Sequence, residues 1–245
     1  MRADIFLAEQ GLAPSRETAK KLILGGCVRI CGSTVKKPSY DIGDGVPASD
    51  VEILPSEDTR YVSRGGLKLE AALDSFGIDV SGMRAIDIGA STGGFTDCLL
   101  AHGAASVTAV DSGHGQLSPV LAADPRVRSL EGINARYITP DTVGGEYDIA
   151  VMDVSFISQT LILPAIPALL RGGGILLSLV KPQFEVGRSD VGKGGIVRSA
   201  SARERAVKSV SAAAGALGLV KIGLITSPVT GGDGNIEYIA YFHKK

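Results

Sequence analysis

From residue 60 onward the chain alternates short apolar runs with longer amphipathic ones, and few folds accept that alternation. The candidate strands are RAIDI (84–88), SVTAV (106–110), VRSL (127–130), YDIAVMD (147–153), GILLSLV (174–180), VKIGLITS (220–227) and IEYIAYF (236–242). The candidate helices are LKLEAALDSF (67–76), FTDCLLAHG (95–103), QLSPVLAA (116–123), SQTLILPAIPALL (158–170) and SARERAVKSVSAAAGAL (201–217). Repeated strand–helix pairing, with strands apolar on both faces, predicts a parallel sheet covered by helices on each side. The last two strands have no helix between them. PVTGGDGN (228–235) joins them as a hairpin would, so the final strand is expected to run antiparallel. The expected architecture here is an α/β, Rossmann-like sheet, mostly parallel, with its last strand reversed.

Residues 1–55 read as a separate small α+β unit. Pro14 and Ser15 open a helix that runs through Leu24 and stops at Gly25-Gly26. Short strands CVRI (27–30) and TVKK (34–37) follow across a Cys31-Gly32 turn. PSEDTR (55–60) has the composition of a linker, which sets a linker at 56–63 and a second domain at 64–245. Charge in the first unit is uneven. Arg16, Lys20, Lys21, Arg29, Lys36 and Lys37 lie between Pro14 and Pro38, opposed there only by Glu17. A basic face on a helix–hairpin unit suits a phosphate backbone, because lysine and arginine gain affinity by releasing counterions; a solvated helix face would carry the same charges.

Composition narrows the class. The 245 residues are 44% hydrophobic and 21% charged with net charge −1, as in a soluble globular chain with no overall bias toward a polyanion. The stretch MRADIFLAEQG lacks the apolar centre of a secretory signal, and the most apolar run, LILPAIPALL, is broken by Pro164 and Pro167. Cys27, Cys31 and Cys98 form no even set, and His102, His114 and His243 are scattered. The expectation is reduced thiols, no metal site, no membrane segment and a cytoplasmic location.

AIDIGASTGGFT (85–96) reads as a strand, a Gly-rich turn and a helix start. It is not a dinucleotide fingerprint, because Ala90 and Ser91 follow Gly89 and two glycines are adjacent. Gly89, Gly93 and Gly94 let a ligand approach the backbone, with Ser91 and Phe95 in the same turn. Asp87 repels phosphate and favours an amine-bearing or cationic ligand. Asp111 ends the second strand, where a carboxylate can take both hydroxyls of a ribose; Asn134 follows the third strand and Asp153 ends the fourth. S-adenosylmethionine carries the matching groups: a ribose diol, an amino-acid moiety and a positive sulfonium. Each residue alone is common at strand ends, but the ordered set on successive strands points to a cofactor site.

The most apolar strand, LLSLV, stops at Lys181-Pro182. Lys-Pro ends a strand well, since proline has no N–H for the ladder. Alternatively, Lys181 is delivered to the carboxyl edge of the sheet, where open α/β sheets bind ligands, to do chemistry. Asp153 ends a neighbouring candidate strand. Lys68, before the first strand, and Glu237, in the last, reach the same edge if the sheet is wound as expected.

These stretches carry a resemblance over essentially the whole chain. RADIFLAEQGLAPSRETAKKLILGGCVRICG, RYVSRGGLKLEAAL, AIDIGASTGGFTDCLL, GQLSPVLAADPRV, VMDVSFIS, LVKPQFEVGR and GNIEYIAYF are similar to the TlyA (haemolysin-A) family of ribosomal RNA methyltransferases. Such proteins join an RNA-binding module like that of ribosomal small-subunit protein four to an FtsJ-like methyltransferase domain. The resemblance implies S-adenosylmethionine as methyl donor, ribose 2′-O-methylation of ribosomal RNA or ribosomal subunits, and a tetrad falling on Lys68, Asp153, Lys181 and Glu237. It places Arg16, Lys20 and Lys21 on the RNA-contact helix. Cys31-Gly32 departs from the usual Asn-Gly turn, and DSGHGQL (111–117) departs from the usual loop wording.

The chemistry fits these residue types. A ribose hydroxyl needs a base and in-line placement, whereas a sulfonium leaving group departs neutral and needs no acid. An amine serves as base only when its neutral form is accessible; desolvation and a nearby ammonium favour that form, and a carboxylate partner opposes it. The alternatives are a dinucleotide-dependent oxidoreductase on the same sheet, a membrane-active haemolysin and a non-catalytic RNA chaperone.

Overall fold

The computed structural model describes residues 1–13, 15–43, 45–54, 60–231 and 234–245; expectations resting on Pro14, on 55–59, or on Gly232 and Asp233 lie outside them. The chain divides into two units, Met1–Arg60 and Tyr61–Lys245.

The first unit contains helices α1 (Ala3–Glu9) and α2 (Arg16–Leu24) and strands β1 (Val28–Ile30), β2 (Ser33–Val35) and β3 (Val51–Ile53). Ser15 caps α2 by accepting from the Thr18 N–H at 3.2 Å. Cys31 (φ 47°) and Gly32 (φ 77°) make the turn between β1 and β2, so the departure from Asn-Gly leaves the primed turn intact. The sheet order is β2-β1-β3, with Leu7, Ile23, Val28 and Ile42 packed beneath it. The sequence reading contains neither α1 nor β3. Helix α1 has seven residues and no side-chain cap, and β3 has three residues whose partner, β1, is more than twenty positions earlier.

The second unit contains, in chain order, α3 (Gly65–Phe76), β4 (Arg84–Ile88), α4 (Gly94–Ala101), β5 (Ser106–Val110), α5 (Pro119–Ala122), β6 (Val127–Leu130), α6 (Pro140–Val143), β7 (Tyr147–Met152), α7 (Ile166–Leu169), β8 (Leu170–Val180), α8 (Pro182–Glu185), α9 (Ala200–Ala216), β9 (Leu219–Thr226) and β10 (Tyr238–Lys244). Its strand order is β6-β5-β4-β7-β8-β10-β9. Strands β4 to β8 pair in parallel, while β10 runs antiparallel to both neighbours. Alternation along the strands splits the core. Ile149 and Val151 pack with Leu69, Leu73 and Leu99 on one face; Ala150 and Met152 pack with Ile166, Val207 and Val210 on the other. The order winds outward from β4 to β6 and then restarts at β7 on the other side of β4. The carboxyl ends of β4 and β7 therefore form the switch point of the sheet, where such folds open a crevice.

Three expectations are corrected. SQTLILPAIPALL is not one helix but two 3-10 turns and a single α turn, because Pro164 and Pro167 each remove an N–H donor. Glu237 precedes β10 instead of lying within it. Tyr61, taken as linker, is buried in the core of the second unit. A Cβ on Gly66 would stand 2.6 Å from Tyr61 Cβ and collide with the ring, so Gly66 is the residue that admits Tyr61.

Candidate active site

The turn after β4 and the turn after β7 touch through their backbones. The Asp153 N–H donates to the Ile88 carbonyl at 3.0 Å, and a Cβ on Gly89 would collide with the Asp153 carbonyl oxygen. Gly89 also has φ +84°, so only glycine fits. Asp111, at the end of β5, stitches the neighbouring turns. Its Oδ2 accepts from the Ser91 N–H at 2.8 Å and its Oδ1 from the Gly113 N–H at 2.7 Å. Asn134 Oδ1 accepts from the Arg136 N–H at 3.0 Å. Gly89, Ser91, Asp111, Asn134 and Asp153 line a cavity of about 470 Å³ together with apolar Val154, Ile157 and Ile162.

Asp87 and Gly93 line neither this cavity nor the smaller one beside it. Gly93 packs under Leu117, whose Cδ1 lies 2.8 Å from where a Cβ would stand. Asp87 is wholly buried. Its Oδ2 accepts from the Thr96 hydroxyl at 2.7 Å, while Oδ1 has no partner among the described residues. Burial pushes this carboxyl up to about 7; the Thr96 hydroxyl opposes the rise, and the Asp153 and Asp111 carboxylates add to it. Three acidic groups thus bear on the switch point, and their field favours a cationic ligand.

A second cavity, of about 290 Å³, shares Gly89, Ser91, Asp153 and Ser155 with the first and adds Gly94, Phe95, Lys68 and Lys181. The four residues Lys68, Asp153, Lys181 and Glu237 are arranged as two ion pairs. Lys68 Nζ donates to Glu237 Oε2 at 2.6 Å, and both side chains are buried. Lys181 Nζ lies 2.6 Å from Asp153 Oδ1 and donates to Ser155 Oγ at 2.7 Å. Lys68 reaches the cavity because α3 and α4 begin in close contact: a Cβ on Gly94 would stand 3.0 Å from Gly66 N and 3.2 Å from Gly65 Cα. The RGG and TGG sequences are the two sides of that contact. Ser155 was missed by sequence reasoning; its only signal was its place two residues beyond Asp153.

The basic residues of the first unit are unequal. Asp4 is wholly buried and takes Arg2 at 2.9 Å and Arg16 at 2.8 Å, which hold its carboxyl down at about 2. Lys20 lies 3.5 Å from Glu17, and Arg29 lies 3.6 Å from Glu52, its register partner across β1–β3. Lys21, Lys36 and Lys37 are exposed and have no ion pair among the described residues. Arg16 is therefore tied into the unit as well as displayed on its surface.

An open sheet with a reversed strand beside β8, a nucleoside-sized cavity at its switch point and a lysine–carboxylate cleft next to it define a Rossmann-like methyltransferase. The FtsJ-like methyltransferase family matches residues 61–244, and the S4 domain matches residues 1–46. The chain belongs to the TlyA family of FtsJ-like methyltransferases. It is 46% identical to YqxC of Bacillus subtilis (strain 168) over 99% of this chain and 85% of that protein. It is 44% identical to the 16S/23S rRNA (cytidine-2′-O)-methyltransferase TlyA of Mycobacterium tuberculosis (strain ATCC 25618 / H37Rv), over 98% of this chain and 88% of that one. A solved structure from Streptococcus thermophilus superimposes with TM-score 0.77 at 47% identity, covering 100% of this chain and 88% of the other. Among the described residues no cluster of histidine, cysteine and carboxylate side chains is placed to hold a metal ion, and no helix is long and apolar enough to cross a membrane.

Proposed function

We propose that this protein transfers a methyl group from S-adenosylmethionine to a ribose 2′-hydroxyl of ribosomal RNA. The observation that carries the proposal is that the acidic, nucleoside-sized cavity and the lysine cleft share Asp153 and Ser155, so a bound donor and Lys181 face one junction. The cavity suits the donor on its own chemistry. Asp111 keeps acceptor capacity for a ribose diol beyond its two backbone bonds, and the Gly89 turn forms part of the cavity wall. Buried Asp87, with Oδ1 unpartnered, adds negative potential for a cation. When bound, the donor supplies an electrophilic methyl on a sulfonium that leaves neutral.

The chain's own residues supply the rest. Lys181, in its neutral form, removes the 2′-hydroxyl proton at Nζ. Asp153 and Ser155 fix the direction of that nitrogen. Lys68, held by Glu237, adds a second positive group to the wall of the cleft that receives the substrate. The first unit brings affinity for the RNA backbone through its exposed lysines. The Mycobacterium tuberculosis relative is named for a cytidine 2′-O-methylation of ribosomal RNA, which supports the same substrate class here and a reaction in the cytoplasm. Family membership displaces the oxidoreductase alternative. The test is to incubate the purified chain with ribosomal subunits lacking the modification and labelled donor, and then map 2′-O-methyl sites. Transfer to a ribose at a defined position is expected; label on a base nitrogen or carbon, or none, overturns the proposal.

A further inference from the structure

We propose that Gln159 and Glu185 form a clasp that positions Lys181. The inference rests on Lys181 being the base, as read above.

The need for a clasp follows from the sheet. Strand β7 stops at Met152, whose register partner in β8 is Ser178, and the chain then turns off at Asp153. Strand β8 runs on through Val180, held beyond Ser178 by β10 alone, where Ile239 pairs with Leu179 and Tyr238 with Val180. The residues that deliver Lys181 have therefore lost a neighbouring strand on one side.

Gln159 takes that place. Its Nε2 donates to the Leu179 carbonyl, and its Oε1 accepts from the Ser178 hydroxyl at 2.6 Å. Both polar atoms of the carboxamide have a partner, and the residue is almost wholly buried, at 1% exposure. The second half of the clasp lies beyond Lys181. Glu185, at the end of α8, accepts from the Gln159 N–H at 2.8 Å and from the Ser158 hydroxyl at 2.6 Å. Lys181 is thus bracketed, gripped two residues before it through Leu179 and four residues after it through Glu185. The clasp also fixes the far end of the 153–159 loop, which carries both partners of Lys181, Asp153 and Ser155. The near end of that loop is fixed by the Asp153 bond to Ile88.

Glu185 has no cationic partner among the described residues, so its grip is two hydrogen bonds and not an ion pair. Burial raises its carboxyl pKa, opposed by those same two bonds, as expected of a group whose task is local. Neither Gln159 nor Glu185 lines either of the two cavities of the site. They act through Lys181 and are positioning residues.

The test compares Gln159→Leu, Glu185→Ala and Glu185→Gln with the parent in single-turnover methylation of ribosomal RNA at saturating donor, with folding checked by circular dichroism. Displacing a reacting group by a fraction of an ångström is costly, so Gln159→Leu and Glu185→Ala are expected to lower the rate about tenfold to a hundredfold. Donor affinity and the KM for RNA should stay within about twofold, as expected for a loss confined to the chemical step. The midpoint of the rate–pH profile should move in both variants, because the base loses its fixed neighbours; a merely structural role would leave it in place. Glu185→Gln can accept from the Gln159 N–H and donate to Ser158 Oγ, so it should keep most of the parental rate. A folded Gln159→Leu or Glu185→Ala with parental rate and pH midpoint overturns the clasp, as does a Glu185→Gln as slow as Glu185→Ala. If Gln159→Leu does not fold, the two Glu185 variants decide. A parent that methylates no ribose defeats the proposed function itself, a result separate from the behaviour of the variants.

Discussion

Replacing Asp87 with asparagine should stabilise the unliganded protein and spoil its donor site, and burial sets the size of the first effect. The Asp87 carboxyl is lifted from 3.8 to about 7, chiefly by burial. At 1.36 kcal/mol per pH unit, such a lift is worth about 4 kcal/mol. The unfolded chain releases this proton near its ordinary value and the folded chain releases it near 7, so between the two the folded state holds more protons and stability falls as pH rises. Below that window the group costs nothing; above it the loss is complete. Asparagine keeps the shape and can still accept from the Thr96 hydroxyl, but it never ionises. Its buried amide, short of a partner, costs about 1–3 kcal/mol. Asp87→Asn should therefore be the more stable protein above neutral pH by roughly 1–3 kcal/mol and lose that advantage toward pH 4. Urea unfolding followed by circular dichroism, from about pH 4 to 8, reads the difference directly. A variant-minus-parent difference that stays constant across that range refutes the reasoning. Affinity for S-adenosylmethionine, measured by calorimetry at about pH 8, should fall about tenfold or more, because one of three carboxylates that favour a cation has gone.

Three further predictions are independent of that one. Lys181→Arg should keep cofactor and RNA binding and lose nearly all turnover, because guanidinium stays protonated at any working pH; near-parental turnover would show that Lys181 only positions the substrate. Asp111→Ala removes the acceptor of two backbone N–H groups as well as the candidate ribose contact, so the donor dissociation constant should rise about tenfold to a hundredfold by calorimetry, and an unchanged value would sink the assignment. Alanine at Lys21, Lys36 and Lys37 together should weaken RNA binding and flatten its log–log salt dependence by up to about 0.9 per lost phosphate contact, with donor affinity unchanged; a parental salt slope would remove the basic face from the RNA interface.

What the sequence revealed, and what it withheld, follows from where each interaction is encoded. The sheet was legible because its strands are apolar on both faces and separated by capped or amphipathic helices. The 158–170 segment was not, because prolines three residues apart cancel a helix that its apolar residues otherwise favour. Asp111, Asp153 and Lys181 could be picked out because parallel strands set their carboxyl ends at the ligand edge. Glu237 could not be placed by that rule, because it stands before a reversed strand, and its place at the edge depended on how the sheet is wound. Gln159 and Glu185 gave no readable signal, and Ser155 only its nearness to Asp153, since each works through one or two hydrogen bonds to chain that lies about twenty residues or more away. The tie between Arg16 and buried Asp4 was likewise invisible, because a run of basic residues does not show which of them is already engaged.

The reversal of β10 explains why one cleft holds two lysines and why they are not equivalent. In a parallel sheet only carboxyl ends face the ligand edge. Strand β10 runs the other way, Tyr238 pairs with Val180, and the residue just before it, Glu237, arrives level with Lys181. Glu237 then meets Lys68, which descends from the start of α3. The two lysines are alike, 10% and 11% exposed and both on the cleft wall, but their partners differ: Glu237 is 2% exposed and lines neither cavity, so its pair is dry on that side, whereas Asp153 is 22% exposed and lines both. A base must receive a proton from substrate and later hand it to solvent, and Asp153, which borders both cavities, gives Lys181 an open partner that Glu237 does not give Lys68. Removing one member of a dry ion pair strands the other, at a cost of up to about 3–5 kcal/mol. Glu237→Gln should therefore lower the unfolding midpoint markedly, while Asp153→Asn should leave the fold near its parental stability and lose turnover. Urea unfolding and single-turnover methylation on the same two proteins separate the roles. Equal losses of stability in both variants would place the two lysines on the same footing and remove the reason for choosing Lys181 as the base.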